Sequence, residues 1–347
     1  MNDALFLYLK SERDLAALPP HLHRRALLQW EKHKDQTIRM DREMAFCHEH
    51  AVQVICYGDE AYPERLKACP DAPLVLFYRG QASLNARHIV AIVGTRHISP
   101  YGKDLCQLIT TELACQLPDT LIVSGLAYGI DIHAHRGALK SGLQTIGVLA
   151  HGIDRIYPYA HKATAAEMTR QGGLLTEYPT GTMPERYNFV HRNRIVAAMA
   201  DCTIVVESGS KGGSLITLQR AIDCHRPVLA CPGRLTDGTS AGCNLAIAEG
   251  RAAAFTSVAD LLKRMGWTPH AAPQATEQAL FPPETDISPE AQPLISLLRG
   301  TDGLTADQIA GQTGQPAFAV SAILTDLEMQ GLVSILPGGV YRLIGGK

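Results

Sequence analysis

The feature that most constrains the fold is a repeated alternation between residues 88 and 232. Short runs rich in Val and Ile, apolar at successive positions, are each followed by a segment of helix length. Continuous apolar runs are typical of strands buried on both faces of a parallel sheet. Strands that alternate with helices predict an α/β fold, an extended Rossmann-like, doubly wound and mostly parallel sheet. The runs are residues 89–93, 121–123, 145–149, 174–176, 203–206 and 228–230.

The rest of the chain divides into smaller segments around this domain, which we expect to span 47–267. Residues 1–46 have apolar positions among charges and predict a small N-terminal helical region. Residues 268–290 hold five prolines without a strand or helix pattern, which predicts a Pro-rich linker. Residues 291–347 fit three short helices and a hairpin that turns at Pro337-Gly338, the pattern of a winged-helix domain.

Composition bounds the class of protein. The nine cysteines are scattered and form no C-x-x-C pair, which predicts reduced thiols in a reducing compartment. The first residues lack a basic stretch followed by an apolar one, and no apolar run approaches the ~18 residues of a membrane span. We therefore expect a cytoplasmic protein with no membrane partner. The net charge of −2 argues weakly against nucleic acid and shifts attention to local basic clusters.

One candidate anion site lies in the loop after the first predicted strand of the domain. Gly94 and Thr95 form its turn, and Arg96 offers a planar fork of donors suited to phosphate. Ser99 is predicted to cap the next helix, with Pro100 at its first position. On this loop alone, a phosphate site and an ordinary turn with a surface arginine are equally favoured.

A second candidate loop follows the run at 203–206. Its glycines, serines and lysine stand between a strand and a helix, where backbone amides and the helix N-terminus favour phosphate. The spacing does not fit the Walker A pattern G-x-x-x-x-G-K-[ST], so ATP hydrolysis of that type is not supported. The residues assigned to the site are Ser208, Lys211, Gly212, Gly213 and Ser214.

A basic segment with an interleaved aromatic residue lies at 186–194. It contains three arginines and no acidic residue, and Asn188 is predicted to cap its helix. Proteins usually bind unpaired nucleic acid with aromatic rings, which stack on the bases, and with arginines, which contact the phosphates. The alternative is a core phenylalanine among solvated arginines, and it is the less favoured one. The residues assigned to the interface are Arg186, Phe189, Arg192, Asn193 and Arg194.

No catalytic or metal-binding residues are predicted. Asp131 is interpreted as a helix cap, because no base or metal partner lies near it in the sequence. His133 and His135 stand two apart, which places them on different faces of a helix and disfavours shared metal ligation. No cofactor is expected.

Taken together, these loops resemble the DprA/Smf family of DNA-processing proteins. Several ordered motifs over roughly residues 50–265 are more specific than any single glycine loop. The motifs are Val93-Gly94-Thr95-Arg96, Ser124 through Asp131, Tyr157-Pro158, Phe189 with Arg192-Asn193-Arg194, and Glu207 through Thr217.

The resemblance implies single-stranded DNA binding by a homodimer, protection of incoming strands during natural transformation, and loading of the RecA recombinase. It implies no enzymatic activity. In the resulting hypothesis Arg96, Lys211, Arg186 and Arg194 contact phosphates and Phe189 stacks a base. Arg192 is left open between a phosphate contact and a structural role.

Two other classes compete with this hypothesis. The glycine turn also resembles nucleotide-cleaving enzymes of the lysine-decarboxylase-like group, which need a glutamate in the following helix, yet 214–222 contains no acid. A transcription regulator could act through the winged helix. Its third helix, 316–330, carries Asp326 and Glu328 but no Lys or Arg, which suits phosphate poorly.

Overall fold

The computed structural model describes residues 5, 6, 9, 18–270, 288–299, 301, 303–336 and 339–344. The chain forms two compact units, 1–272 and 273–347, which are described separately. Most of the predicted linker and the predicted turn at Pro337-Gly338 lie outside the described residues. In the described ranges, no helix is both long enough and apolar enough to span a membrane.

The first unit is built on one nine-stranded sheet, with the order β1-β2-β6-β5-β4-β3-β7-β8-β9. Every pairing from β6 to β9 is parallel, whereas β1 and β2 add an antiparallel pair at one edge. This confirms the predicted mostly parallel, Rossmann-like sheet. The strands are β1 Gln53–Cys56, β2 Val75–Gly80, β3 His88–Val93, β4 Thr120–Ser124, β5 Gln144–Val148, β6 Gly173–Thr176, β7 Cys202–Val205, β8 Val228–Ala230 and β9 Ala253–Ala254.

Helices flank this sheet and bury its two faces. The central strands β3, β4 and β7 are buried along their whole lengths, which explains their unbroken apolar runs. Two apolar clusters, one on each side of β3, contain Ile89 and Val90 respectively. The helices are α1 Pro20–His33, α2 Thr37–Glu49, α3 Pro100–Gln116, α4 Ile130–Lys140, α5 Lys162–Gln171, α6 Arg186–Met199, α7 Ser214–Asp223, α8 Ala241–Ala248 and α9 Val258–Met265.

The N-terminal region is helical, as predicted, and its helices pack against the sheet. Met40 and Cys47 of α2 share a buried apolar cluster with Val75 and Phe77 of β2. The cluster also contains Ile153, which lies in the loop after β5. The helical region therefore shares a core with the α/β domain.

The second unit has the winged-helix arrangement. Its helices are α10 Gln292–Leu298, α11 Ala306–Thr313 and α12 Ala317–Met329, and its strands are β10 Leu304–Thr305, β11 Val333–Leu336 and β12 Val340–Leu343. Thr305 caps α11 in a capping box with Gln308. The three strands pair antiparallel, with β12 in the centre.

Candidate nucleic-acid interface

The candidate site lies where the strand order of the sheet reverses. The chain runs outward from β3 through β4, β5 and β6, and then places β7 on the other side of β3. The loops after β3 and β7 leave the sheet side by side, and the Thr95 amide donates a hydrogen bond of 2.7 Å to the Glu207 carbonyl. In doubly wound sheets, ligands bind in this crevice at the carboxyl ends of the strands.

The buried Glu207 carboxylate joins three loops at the carboxyl ends of the strands by accepting hydrogen bonds. The Ser99 amide and hydroxyl both donate to it, the amide over 3.0 Å, and the Thr239 hydroxyl donates over 3.3 Å. Ser99 also caps α3 by accepting from the Gly102 amide at 3.1 Å, with Pro100 in the first turn, as predicted. This role of Glu207 is not predictable from the sequence, because a carboxylate held by hydroxyls from distant loops leaves no local pattern.

Gly94 is required by the packing of these loops. A Cβ at this position would lie 2.3 Å from Ile130 Cγ1 and 2.8 Å from the Glu207 carbonyl oxygen. The neighbouring Thr95 is half-buried, and its hydroxyl oxygen accepts from the His97 amide at 3.1 Å. Loop contacts thus account for Gly94 before any ligand is considered.

An accessible aromatic ring beside an arginine lies at this edge. Phe189 of α6 is half-buried, and the exposed Arg96 places its guanidinium carbon 5.4 Å from the ring centroid. The ring of Tyr157, which is 48% exposed, packs against Phe189 with centroids 5.8 Å apart. Arg186, also exposed, precedes Phe189 by three residues and so lies near it on the helix surface. Two aromatic faces and two positive charges are therefore available to a ligand.

Tyr157 is the residue of this group that the sequence analysis missed. Its loop follows β5 and was not assigned to the interface. Its local signals were an aromatic residue at the carboxyl end of a strand and its place in the Tyr157-Pro158 motif of the family resemblance, and neither assigned it a contact with a ligand. Its ring meets Phe189 across 32 positions of sequence, a contact that spacing does not reveal.

The glycine loop after β7 divides into an exposed and a buried part. Lys211 and Gly213 are exposed at the N-terminus of α7, and no side-chain bond caps that helix at Gly213. Ser208 and Ser214 are buried, and the Ser214 hydroxyl donates to the Ser208 hydroxyl at 2.8 Å. These two serines were predicted to contact a ligand. Their hydroxyls instead bond to each other inside the loop, so we leave them out of the interface.

Arg192 has the structural role and not the phosphate contact, the two alternatives that its sequence left open. Its side chain is 3% exposed and donates to the carbonyls of Gly125, the first residue after β4, and Val148, the last residue of β5. The Asn193 side-chain oxygen, predicted to face a ligand, accepts from Arg192 Nε at 3.2 Å. Burial lowers the pKa of Arg192 to about 10, opposed by the nearby Asp131 carboxylate, so the guanidinium stays charged at neutral pH.

Asp131 lies beside this arginine and does not cap α4. The N-cap is Gly129, and Asp131 is buried in the first turn. Burial raises the pKa of Asp131, while the Arg192 charge opposes the rise. A Cβ at Gly125 would lie 2.5 Å from both Asp131 Oδ2 and Arg192 Nη2, so only glycine lets these groups meet.

Arg194 is corrected as well, because it does not face the interface. Its guanidinium is 3% exposed and makes two hydrogen bonds of 2.7 Å to the Glu177 carboxylate. Arg194 Nε also lies 3.1 Å from Asp71 Oδ2. Its donors are engaged inside the domain, so it does not reach a phosphate in this conformation.

The predicted cap of α6 is wrong by three positions. The helix starts at Arg186 with the extended Glu185 at its N-cap, so Asn188 lies inside the first turn. The Asn188 side chain donates back to the Met183 carbonyl over 3.1 Å. It thereby ties α6 to the loop before it.

The described ranges contain no group of three or more His, Cys, Asp or Glu residues that could hold a metal ion. His133 Nδ1 lies 2.8 Å from the Gly129 carbonyl, and the fully buried His135 Nδ1 lies 2.7 Å from the Thr145 hydroxyl. Each of the two imidazoles thus has its own local hydrogen-bond partner.

Comparisons with known proteins agree with this architecture. Residues 53–266 match the family described as DNA recombination-mediator protein A, and residues 268–339 match the DprA winged helix domain. Protein Smf of Escherichia coli (strain K12) is 36% identical over 289 residues, covering 82% of this chain and 75% of the relative.

Two solved structures are also similar. DNA processing protein A from Streptococcus pneumoniae shares 32% identity with a TM-score of 0.60, covering 76% of this chain and 86% of that one. DNA processing protein A from Helicobacter pylori, described for its single-stranded DNA binding mode, shares 30% identity with a TM-score of 0.56, covering 62% and 95%.

The fold and the family matches define a Rossmann-like protein of the DNA-processing class that carries a winged-helix domain. The chain belongs to the DprA/Smf family. The resemblance inferred from the sequence motifs is confirmed.

Proposed function

We propose that this protein binds single-stranded DNA at the carboxyl edge of its sheet, without strong sequence preference. The observation that carries the proposal is the cluster of Phe189, Tyr157 and Arg96 beside the strand-order reversal. A partly exposed ring under a guanidinium presents a face for a base and a charge for the adjacent phosphate. The Helicobacter pylori relative, described for its single-stranded DNA binding mode, supports the same ligand class.

The proposed contacts follow from what is exposed. Arg96, Arg186 and Lys211 meet phosphates, and the backbone of Gly212 and Gly213 approaches one closely. Phosphate contacts carry no sequence information, and stacking tolerates every base. Duplex DNA binds more weakly because its paired bases cannot splay onto Phe189.

The direct experiment compares Phe189→Ala with Val190→Ala. Val190 is the exposed neighbour of Phe189 on the same helix, and its truncation controls for general effects. Loss of one stacked base costs about 1–3 kcal/mol, so we expect Phe189→Ala to weaken binding to a labelled single strand about tenfold or more. Unchanged affinity in Phe189→Ala, measured by fluorescence anisotropy, removes the stacking element from the proposal.

We further propose that the protein is cytoplasmic, acts as a homodimer, protects incoming strands in natural transformation and passes them to RecA recombinase. Membership of the family matched as a recombination mediator supports this assignment. The test is the rate of RecA assembly on single strands coated with a single-strand-binding protein, with and without this protein. An unchanged rate contradicts the mediator role while leaving DNA binding intact.

We propose that the protein is not a nucleotide-cleaving enzyme. The helix after the glycine loop contains no acid between 214 and 222, and the nearby Glu207 carboxylate is buried and already accepts three hydrogen bonds. A carboxylate held in this way is not free to activate water at a bound nucleotide. Release of free base from a nucleoside monophosphate by the purified protein would restore the enzymatic alternative.

A further inference from the structure

A buried carboxylate joins the N-terminal helical region to a loop beside the interface. Glu43 of α2 is 3% exposed. Its two oxygens accept from the Thr180 amide at 2.9 Å and from the Thr180 hydroxyl at 2.6 Å. A buried carboxylate is strongly disfavoured unless hydrogen bonds replace its water, and charge-assisted bonds of this length do so. The contact is therefore a specific attachment of α2 to residue 180.

The loop that contains Thr180 leads directly into α6. Three residues after Thr180, the Met183 carbonyl accepts from the Asn188 side chain at 3.1 Å. Asn188 immediately precedes Phe189, so this bond fixes the helical turn that presents the ring. Two hydrogen-bonded contacts, joined by residues 180–183, thus connect Glu43 to the helical turn that carries Phe189.

The same loop is also tied to the loop that carries Tyr157. The Gly152 amide donates to the Thr182 carbonyl at 3.1 Å, and the Gly181 amide donates to Asp154 Oδ1 at 3.2 Å. Ile153, between these contacts, packs in the apolar cluster that α2 helps to form. The N-terminal helices therefore support both loops that bring the two aromatic rings together.

We propose that Glu43 is a positioning residue for single-stranded DNA binding, and that the N-terminal helical region sets the geometry of the Phe189–Tyr157 pair. This inference rests on the proposed function. It gives the N-terminal region a role that its sequence pattern did not indicate, because α2 lies far from the interface motifs in sequence.

The test is a double-mutant cycle between Glu43→Ala and Phe189→Ala. If Glu43 acts through the ring, Glu43→Ala weakens single-strand binding about tenfold in the wild-type background and has little further effect once Phe189 is removed. The exposed Glu49 of the same helix supplies the matched control, and Glu49→Ala leaves affinity unchanged. All affinities are measured well below the unfolding temperature of every variant.

A second readout reports stacking itself. A single strand that contains 2-aminopurine loses fluorescence when that base stacks, and Glu43→Ala should reduce the loss at saturating protein. Glu43→Gln keeps one acceptor and should recover part of it, and Thr180→Val, which removes only the hydroxyl donor, should produce a smaller change in the same direction. These two mild substitutions keep the proposal testable if Glu43→Ala does not fold.

The outcomes separate the two claims. An equal effect of Glu43→Ala with and without Phe189, or full quenching in all three variants, overturns the positioning role alone. Unchanged binding in Phe189→Ala overturns the stacking element of the proposed function on which that role rests.

Discussion

Arg194 and Glu177 form a bidentate ion pair, in which Arg194 Nη1 lies 2.7 Å from Glu177 Oε1 and Arg194 Nη2 lies 2.7 Å from Glu177 Oε2. Both side chains are buried, and the pair joins α6 to the end of β6. In sequence Arg194 looks like its neighbours in a basic segment. In space it belongs to the scaffold that holds the interface helix, whereas Arg96 and Arg186 face outward.

Arg194→Ala should therefore destabilise the fold. Removing one partner of a buried pair leaves the Glu177 charge uncompensated, which costs about 3–5 kcal/mol. Arg186→Ala, an exposed substitution on the same helix, should change the free energy of unfolding by less than about 0.5 kcal/mol. Urea unfolding measures both. If Arg194→Ala has normal stability but binds DNA more weakly, Arg194 belongs to the DNA interface.

Glu177 should make the stability of the fold sensitive to acid. Burial alone raises the pKa of its carboxyl, but hydrogen bonds from His191 and Arg194 outweigh burial, and the net pKa lies below its ordinary 4.5. The ionised carboxylate thus stabilises the fold above pH 4.5, and this contribution is lost as pH falls through the lower folded-state value. The stability gap between wild type and Glu177→Gln should be largest at neutral pH and shrink in acid. A gap that does not change with pH would contradict this assignment.

His135 should add a second dependence on pH at milder acidity. Burial lowers its pKa from 6.5 to about 3, so the folded state binds fewer protons than the unfolded state between these values. Stability then falls as pH drops below 6.5, by up to about 1.4 kcal/mol per pH unit. His135→Asn should flatten this slope, though not abolish it, since burial also lowers the pKa of His151 and His161. An unchanged slope would count against a neutral, buried His135.

Two glycine substitutions should separate folding from binding. Gly129 has φ of +77°, and a Cβ there would lie 2.1 Å from the Thr95 carbonyl oxygen, so Gly129→Ala should be strongly destabilising. A Cβ at Gly213 meets nothing within 4 Å, so Gly213→Ala should leave stability within about 1 kcal/mol. If a phosphate approaches this turn, Gly213→Ala should still weaken single-strand binding. Equal affinity of Gly213→Ala and wild type would place the strand away from the glycine loop.

The fold was largely predictable because its signal is local. Strands such as 89–93 and 203–206 are apolar at successive positions because both faces of the sheet are covered there. The pair Ser99-Pro100 indicates the start of α3. The two-residue β9 lacks such a run and was not predicted.

The site was predicted less completely, because a sequence does not show which way a side chain points. The basic segment revealed Arg186, Phe189 and Arg194 as one cluster, and only the partner Glu177, 17 positions away, identifies Arg194 as buried. Tyr157 was missed for the same reason. Contacts between distant loops, and not the composition of any one loop, decide which basic residues remain available.

A DNA interface at the carboxyl ends of the strands is tested by measuring single-strand affinity over a salt series for two matched double variants. Arg96→Ala with Lys211→Ala removes two exposed charges at the carboxyl edge of the sheet. Lys140→Ala with Arg170→Ala removes two exposed charges at the amino ends of the strands. These residues lie in the last turns of the helices that precede β5 and β6.

We expect the first pair to bind single strands much more weakly, with a salt dependence of log affinity that is shallower by about 0.7 per lost phosphate contact. The second pair should match the wild type in both respects. Equal losses in the two pairs, or a normal salt slope in the first, would contradict a DNA interface at the carboxyl edge.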